Sequence, residues 1–223
     1  MTFSSETKSI VIGGTSGIGK AVVAALSERA GNVEAVSRST GFDVTNEAAV
    51  DAYFAKHGPV DHLVFTAGSS APGGAVTAVA IADAKEAFDA KFWGAITAVK
   101  TAAAHIKPGG TITLTSGFLA RRTVPGTYVK TAMNAALEAT VKVLAKELAP
   151  IRVNVVSPGL TATEAYAAMA PSARQAMLDR AASSLPAGKA GAPEDLAQGY
   201  LFVIDNPFVT GAVIDIDGGA LIN

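Results

Sequence analysis

Short runs of β-branched residues alternate with alanine-rich stretches along the whole chain. The apolar runs have the length of buried strands, and the stretches between them repeat apolar residues every three to four positions, as amphipathic helices do. Strands this apolar are covered on both faces, so the alternation predicts a doubly wound α/β fold, a parallel sheet with helices on both sides. The strands are expected at SIVI, VEAVS, DHLVFT, TITLT, IRVNVVS and AVIDID, and the helices at 18–29, 46–57, 83–106, 126–148 and 193–204.

The helix expected at 126–148 carries two polar residues on one face. Its apolar residues, among them Met133, Leu137 and Leu144, recur at the spacing of a buried stripe. Lys130 and Asn134 stand four residues apart, so their side chains share a face. We therefore expect both to point into one pocket.

The composition limits the kind of protein that this chain can be. With 223 residues, 49% of them hydrophobic and 17% charged, the chain can bury the core of one domain, expected over 1–223. The 18 basic and 19 acidic residues give a net charge of -1 without a long basic run, which disfavours a nucleic-acid partner. No apolar stretch suits a membrane span or a signal peptide, so we expect a cytoplasmic protein. The chain has no cysteine and its histidines do not cluster, so we expect no metal site.

The first chemical signal is the stretch IGGTSGIGK, residues 12–20, between an expected strand and an expected helix. Glycines at these places permit a tight turn and let the backbone approach a pyrophosphate at the helix N-terminus, where free N–H groups favour anions. The alternative is a glycine-rich turn without a ligand. The candidate phosphate-binding residues of this turn are Gly13, Thr15, Ser16, Gly17, Ile18 and Gly19.

The end of the second strand, VEAVSRST, indicates which dinucleotide binds. An acidic residue about 20 positions after the glycine turn usually binds the adenosine ribose. Here Ser37 removes the carboxylate that would repel a 2′-phosphate, and Arg38 offers a guanidinium to bind it, which favours NADP over NAD. The alternative is that Arg38 is a plain surface arginine. Asp43 and Val44 are interpreted as a turn beside the adenine, although Asp43 could equally cap the helix that starts near Asn46.

The spacing G-x-x-x-G-x-G and the segments RVNVVSPGLTATE, GAPEDLAQGYLFV and GAVIDIDGGALI resemble the short-chain dehydrogenase/reductase family over nearly the whole chain. The resemblance implies one Rossmann-fold domain that binds a nicotinamide dinucleotide, transfers hydride to or from a carbonyl or alcohol, and assembles as a homodimer or homotetramer. It also implies further cofactor contacts. Thr66, Ala67 and Gly68 match the family's N-A-G turn, and the stretch that lines the nicotinamide is matched by Pro158, Gly159, Leu160, Thr161 and Thr163.

The same resemblance places different residues at the catalytic positions. The family's helix reads Y-x-x-x-K-A-A-L-E, and AALEATVKVLAKEL aligns with it without gaps, so that Lys130 stands at the tyrosine and Asn134 at the lysine. The family's tyrosine donates a proton to the substrate oxygen, and its lysine holds the nicotinamide ribose. The family's serine is matched by Ser116 in TITLTSG and its further asparagine by Lys91 in FDAKFWG. The helix that commonly follows the second strand is missing.

Two functions fit this pattern. The first is an NADP(H)-dependent oxidoreductase that reduces a small carbonyl, imine or activated alkene. In this function Lys130 donates the proton, and the neighbouring cation Lys91 lowers the pKa of Lys130. Ser116 binds the substrate oxygen. The ribose is contacted by Asn134 or by Lys91. The second is a NADP(H)-binding sensor or assembly partner without proton-transfer chemistry, in which the lysines are solvated or pair with phosphate.

The substrate side is expected in two segments. Residues 158–192, rich in Pro, Gly and Ala, are interpreted as a loop-and-helix excursion over the ligand crevice. Within it, Tyr166 is a second candidate proton donor. Arg121 and Arg122 follow Ser116 and could attract an anionic substrate, or they could be solvated surface arginines.

Overall fold

The computed structural model describes residues 3–68 and 70–223. They form one sheet of six parallel strands in the order β2-β1-β3-β4-β5-β6. Each strand lies at an apolar run of the sequence, and the predicted doubly wound α/β fold is confirmed. The strands are β1 (Lys8–Ile12), β2 (Asn32–Val36), β3 (Val60–Phe65), β4 (Ile106–Thr115), β5 (Arg152–Pro158) and β6 (Val213–Ile216).

Seven α-helices occur in the described part of the chain, and one predicted helix is divided. The predicted helix at 83–106 is wrong as a single element, because residues Asp89–Trp93 form a π-helical turn and residues 104–106 leave the helix. A π-turn adds a residue without proline or glycine, so the sequence gives no sign of it. The helices are α1 (Gly17–Ser27), α2 (Glu47–His57), α3 (Ile81–Phe88), α4 (Gly94–Ala103), α5 (Tyr128–Glu147), α6 (Pro171–Ser184) and α7 (Pro193–Asp205).

The two faces of the sheet are covered by different helices. Successive strand residues point to opposite faces, so Ile10 and Ile12 contribute to one apolar cluster and Val11 to the other. The first cluster also contains side chains of α2, α4 and α5, whereas the second contains side chains of α1 and α7. Burial on both faces explains why the strands read as continuous apolar runs.

The strand order places a crevice at the carboxyl ends of β1 and β3. The chain passes from β1 to β2 on one side, whereas β3 pairs with β1 on the other. This reversal is the place where open α/β sheets bind their ligands. After β2 the described chain has only a 3-10 turn, Arg38–Thr40, before α2, so the prediction of a missing helix is confirmed.

Candidate active site

The glycine-rich turn packs so tightly that side chains are excluded. A Cβ on Gly13, whose φ is +85°, would lie 2.6 Å from Thr66 Oγ1, and a Cβ on Gly19 would lie 2.2 Å from the carbonyl oxygen of Gly13. The Thr66 backbone N–H and hydroxyl both donate to the carbonyl of Ile12, at 2.8 and 3.0 Å. The turn after β1 is therefore locked onto the end of β3, as a close helix–strand approach requires.

The N-terminus of α1 holds a carboxylate that the sequence did not predict. Ser16 is the N-cap residue, and its side chain makes no capping bond. The Gly17 N–H instead donates to Glu164 Oε2 at 2.9 Å. Hydrogen bonds from the backbone of Glu164 and from Gly17 hold the pKa of this carboxyl below its usual value. A helix N-terminus favours negative charge, so this contact marks the place expected for the pyrophosphate. Ile18 packs against the cluster between α1 and α7.

Hydroxyl groups gather at the end of β2. Thr15 donates to Ser37 Oγ at 2.8 Å, and the backbone N–H of Ser39 donates to the same oxygen at 3.2 Å. Arg38 is exposed between these two serines. The structure thus places Thr15, Ser37 and Arg38 together, and it adds Ser39, which the sequence reasoning missed although it stands directly after Arg38.

Asp43 stabilises its own turn. Its Oδ1 accepts hydrogen bonds from the backbone N–H and the hydroxyl of Thr45, at 2.9 and 2.8 Å, and these bonds lower the pKa of the Asp43 carboxyl. The N-cap of α2 is Asn46, so the alternative assignment of Asp43 as the cap of this helix is wrong. Val44 is buried against α4, where a Cβ on Gly94 would lie 2.7 Å from Val44 Cγ2.

A buried lysine lies next to the loop that follows β3. A Cβ on Gly68 would lie 2.6 Å from the Cα atom of Lys91, so this loop packs directly on the π-helical turn. Lys91 is 6% exposed, and its ammonium donates to the carbonyl oxygen of Ser116 at 3.2 Å. Burial, together with the positive charge of Lys130, lowers the pKa of Lys91 to about 8. The structure therefore brings Lys91 and Lys130 into one electrostatic environment.

Asn134 lies one helical turn after Lys130 on α5 and is 5% exposed. Its Oδ1 is buried without a hydrogen-bond partner. Its Nδ2 would lie 2.9 Å from a Cβ on Gly117, so glycine at 117 leaves room for the amide at the end of β4. A buried amide oxygen without a partner is costly in a folded protein. This oxygen is therefore suited to accept a hydrogen bond from a ligand hydroxyl.

The hydroxyl of Ser116 is engaged inside the protein. Ser116 is 4% exposed, and its Oγ donates to Glu138 Oε1 at 2.8 Å. The other oxygen of Glu138 pairs with Arg121 Nε at 2.9 Å. The same guanidinium binds both carboxylate oxygens of Asp215, with 2.9 Å between Nη1 and Oδ2. Ser116, predicted to bind the substrate oxygen, thus belongs to a polar network in this structure.

Both arginines that follow Ser116 are held by the protein itself. Hydrogen bonding to Asp215 raises the pKa of Arg121, and its ion pair with Glu138 acts in the same direction. Arg122 Nη1 donates to the carbonyl oxygen of Ala220. Arg121 is nevertheless exposed, and both arginines line the cleft beside the start of α5. Attraction of an anionic substrate by Arg121 and Arg122 stays a prediction.

The segment after β5 closes the site from the side. A Cβ on Gly159 would lie 2.6 Å from the Cα of Asp217, so the chain is pressed against the C-terminal turn. Tyr166 is partly buried, which raises the pKa of its hydroxyl, and no hydrogen bond in the described part of the chain joins it to Lys91 or Lys130. The other predicted residues are Pro158, which ends β5, Leu160 and Thr161, which meet Gly191, and Thr163, which faces Gly17.

A cleft of about 440 Å³ opens beside the start of α5. The loop between β4 and α5 forms one wall and residues of the loop before α3 form the other. The volume of this cleft is within the range of sites that bind small organic molecules. Its lining includes Gly74, Val76, Arg122, Val124, Tyr128 and Thr131.

Within residues 3–68 and 70–223, no group of three or more His, Cys, Asp or Glu side chains is placed to hold a metal ion. In the same ranges no helix has the length and apolar character needed to cross a membrane.

Comparison with known proteins identifies the family. The sequence model of a family described as enoyl-(acyl carrier protein) reductase matches residues 2–220. A short-chain dehydrogenase/reductase of Stachybotrys chlorohalonatus is 33% identical, with 96% of each chain covered. This chain belongs to the short-chain dehydrogenase/reductase family of oxidoreductases. A crystal structure of a small-chain dehydrogenase in complex with NADPH is 55% identical over 98% of this chain and 100% of that chain, with a TM-score of 0.96. A second small-chain dehydrogenase structure is 52% identical with a TM-score of 0.91, covering 98% and 100%.

The turn after β1 has the glycine spacing of this family, and the exchange of the family's catalytic residues stays a prediction. Lys91, Lys130 and Asn134 cluster near the carboxyl end of β4, where the resemblance implied an asparagine, a tyrosine and a lysine. Their roles in a reaction stay predictions. The signals that could have revealed Glu138 and Glu164 were faint: each is an acidic residue close to a matched motif.

Proposed function

We propose that this protein is an NADPH-dependent oxidoreductase that reduces a small carbonyl, imine or activated alkene with Lys130 in place of the family's proton-donating tyrosine. The observation that carries the proposal is the pair of neighbouring lysines, Lys91 and Lys130, one helical turn from the unpartnered amide oxygen of Asn134. Two lysines and an asparagine stand where the family has an asparagine, a tyrosine and a lysine. A change at all three positions suits an altered catalytic set better than the loss of a single residue would.

The residues at the crevice fit a dinucleotide with a 2′-phosphate. The N-terminus of α1 offers backbone N–H groups for the pyrophosphate, and the turn before it excludes side chains. Arg38 with the hydroxyls of Thr15, Ser37 and Ser39 would hold the 2′-phosphate, because these residues supply donors and no carboxylate. Asn134 Oδ1 would accept a hydrogen bond from the nicotinamide ribose. The small-chain dehydrogenase that is 55% identical to this chain was crystallised with NADPH, which supports the same choice.

The bound cofactor would supply the hydride, and the protein would supply the proton. Burial and the charge of Lys130 lower the pKa of Lys91. Lys130 would donate a proton to the substrate oxygen or nitrogen, and Lys91 would remain hydrogen-bonded to the Ser116 carbonyl. Residues 158–192 would cover the cofactor, since Thr163 and Glu164 already lie against the N-terminus of α1. We further propose one domain over 1–223, in a cytoplasmic homo-oligomer.

The alternative is a NADP(H)-binding sensor without proton-transfer chemistry, which the absence of the tyrosine and lysine pair favours. One experiment decides between the two. Oxidation of NADPH is followed with a panel of quinones, diketones, aldehydes, imines and enones. Reduction of at least one compound by the wild type, but not by the Lys91→Met, Lys130→Met double variant, supports the enzyme. Binding of NADPH without reduction of any member favours the sensor.

A further inference from the structure

A polar network ties the ends of three strands to α5. Arg121, from the turn after β4, pairs with Glu138 on α5 and with Asp215 on β6, and its Nη2 lies 3.3 Å from Ser157 Oγ on β5. Ser157 is fully buried, and the Glu138 side chain is 10% exposed. Glu138 uses its two oxygens for different partners: Oε2 pairs with Arg121, and Oε1 accepts from the hydroxyl of Ser116.

Three hydrogen bonds hold Ser116 in place. Its backbone N–H donates to the carbonyl of Val156 at 3.0 Å, its hydroxyl donates to Glu138 at 2.8 Å, and its carbonyl oxygen accepts from the ammonium of Lys91 at 3.2 Å. The first bond anchors the nitrogen of Ser116, and the second anchors its Cβ through the hydroxyl, so the positions of Cα and of the attached carbonyl carbon are restrained. The carbonyl group is thereby kept next to the ammonium of Lys91.

A fixed acceptor matters because the ammonium is buried beside another cation. A buried ammonium needs hydrogen-bond acceptors to offset the loss of water, and Lys130 adds repulsion. The carbonyl of Ser116 is the acceptor that the structure gives to Lys91. If the Ser116 carbonyl lost its orientation, the charged form of Lys91 would be destabilised. The Lys91 ammonium would also be held less firmly relative to Lys130.

We infer that Glu138 and Ser116 are positioning residues for Lys91: the Glu138 carboxylate fixes the Ser116 hydroxyl, so that the Ser116 carbonyl holds the Lys91 ammonium beside Lys130. Ser116 then acts through its backbone, and its hydroxyl points at Glu138 rather than at a substrate. The role in catalysis rests on the proposed function, whereas the effect on Lys91 itself does not.

The effect of the Ser116 carbonyl on Lys91 can be separated from the effect of the charged side chains around Lys91. Lys130 faces it from α5, and Glu138 with Arg121 lies behind Ser116. Replacement of the Ser116 hydroxyl removes none of these charges. A response of Lys91 to Ser116→Ala would therefore arise without the loss of a charge.

The test is a pH titration of the Lys91 side chain by NMR in protein labelled with ¹³C at lysine Cε, with the resonance assigned through Lys91→Arg. We expect Ser116→Ala and Glu138→Ala to lower the midpoint by roughly half a pH unit or more, the change expected when one hydrogen bond to the ammonium is weakened. Ser116→Thr, which keeps the hydroxyl, and Glu138→Gln, which keeps an acceptor for it, should stay nearer to the wild type. Glu147→Ala, an exposed change on the same helix, is the control.

An unchanged Lys91 titration in Ser116→Ala would overturn the inference. So would equal shifts in Glu138→Gln and Glu138→Ala without a shift in Ser116→Ala, because the effect would then be one of charge alone. Neither result depends on a substrate, so the inference can fail while the proposed activity stands.

Discussion

The carboxylate of Glu164 lies 2.9 Å from the backbone nitrogen of Gly17, at the first residue of α1. The group comes from a 3-10 turn that begins beyond the end of β5, 147 residues later in the chain. It occupies the position at which the pyrophosphate of a dinucleotide is expected, and an anion that arrives there must replace it or share the helix terminus with it.

Glu164→Gln should therefore bind NADPH more tightly than the wild type. Removal of one negative charge from a helix N-terminus changes the interaction with a second anion by a few tenths to about 1 kcal/mol, which corresponds to roughly two- to fivefold. Calorimetric titration of the cofactor measures the change, and Glu147→Gln is the matched control on an exposed helix position. Weaker binding by Glu164→Gln would instead show that the carboxylate assists the cofactor.

Arg38→Ala should remove the preference for NADPH over NADH. A charge-assisted contact to the 2′-phosphate is worth about 1.5–3 kcal/mol, so affinity for NADPH should fall roughly ten- to 150-fold while affinity for NADH stays the same. Fluorescence titration with both cofactors measures this, with the exposed Arg180→Ala as control. Equal affinities of the wild type for the two cofactors would contradict the assignment.

Stability should fall on the acid side of neutrality because of His62. Burial lowers the pKa of His62 to about 4 from 6.5, and its Nδ1 lies 2.9 Å from Thr111 Oγ1. The unfolded chain binds the proton first as the pH falls, so the stabilisation is complete above about 6.5 and is lost between 6.5 and 4, by roughly 3 kcal/mol in total.

Urea unfolding at a series of pH values measures this loss. His62→Gln should flatten the dependence between pH 6.5 and 4, whereas His105→Gln, which keeps His62, should retain it. An unchanged slope in His62→Gln would assign the acid effect to other groups.

Assembly through α4 and α5 should depend on exposed apolar residues next to and on these helices. Trp93 is 57% exposed at the end of the π-turn and Val143 is 53% exposed on α5, so each offers apolar surface that a neighbouring subunit would cover. Val143→Glu should lower the mass seen by light scattering, and Val76→Glu, outside these helices, should not. A wild-type protein that is monomeric at micromolar concentration would contradict the prediction.

Features that depend on local periodicity can be predicted from the sequence. Contacts between residues that are distant in the chain cannot. The six strands could be predicted because apolar runs alternate with helical stretches along the sequence. The glycine turn could be predicted because its glycines stand close together in the sequence. The π-turn at Lys91 could not, since its five residues, DAKFW, contain neither proline nor glycine. Arg121 was open to two interpretations because its partner Asp215 lies 94 residues away, and such pairings leave no pattern in a single sequence.

Substitutions at Asn134 and Lys130 should separate cofactor binding from proton donation. Asn134→Ala should weaken binding of NADPH, because its amide oxygen is expected to accept a hydrogen bond from the ribose. Lys130→Met should leave that binding nearly intact, because Lys130 is expected to act on the substrate. The exposed Lys142→Met on the same helix is the control for loss of a lysine from α5.

The most direct measurement is the rate of NADPH oxidation by Lys130→Met with a substrate that the wild type reduces, at cofactor concentrations that saturate both proteins. Loss of a general acid should lower turnover by roughly a hundred- to ten-thousandfold, whereas Lys142→Met should react at the wild-type rate. If Lys130→Met reduces the same substrate as fast as the wild type, Lys130 is not the proton donor and the proposed mechanism is wrong.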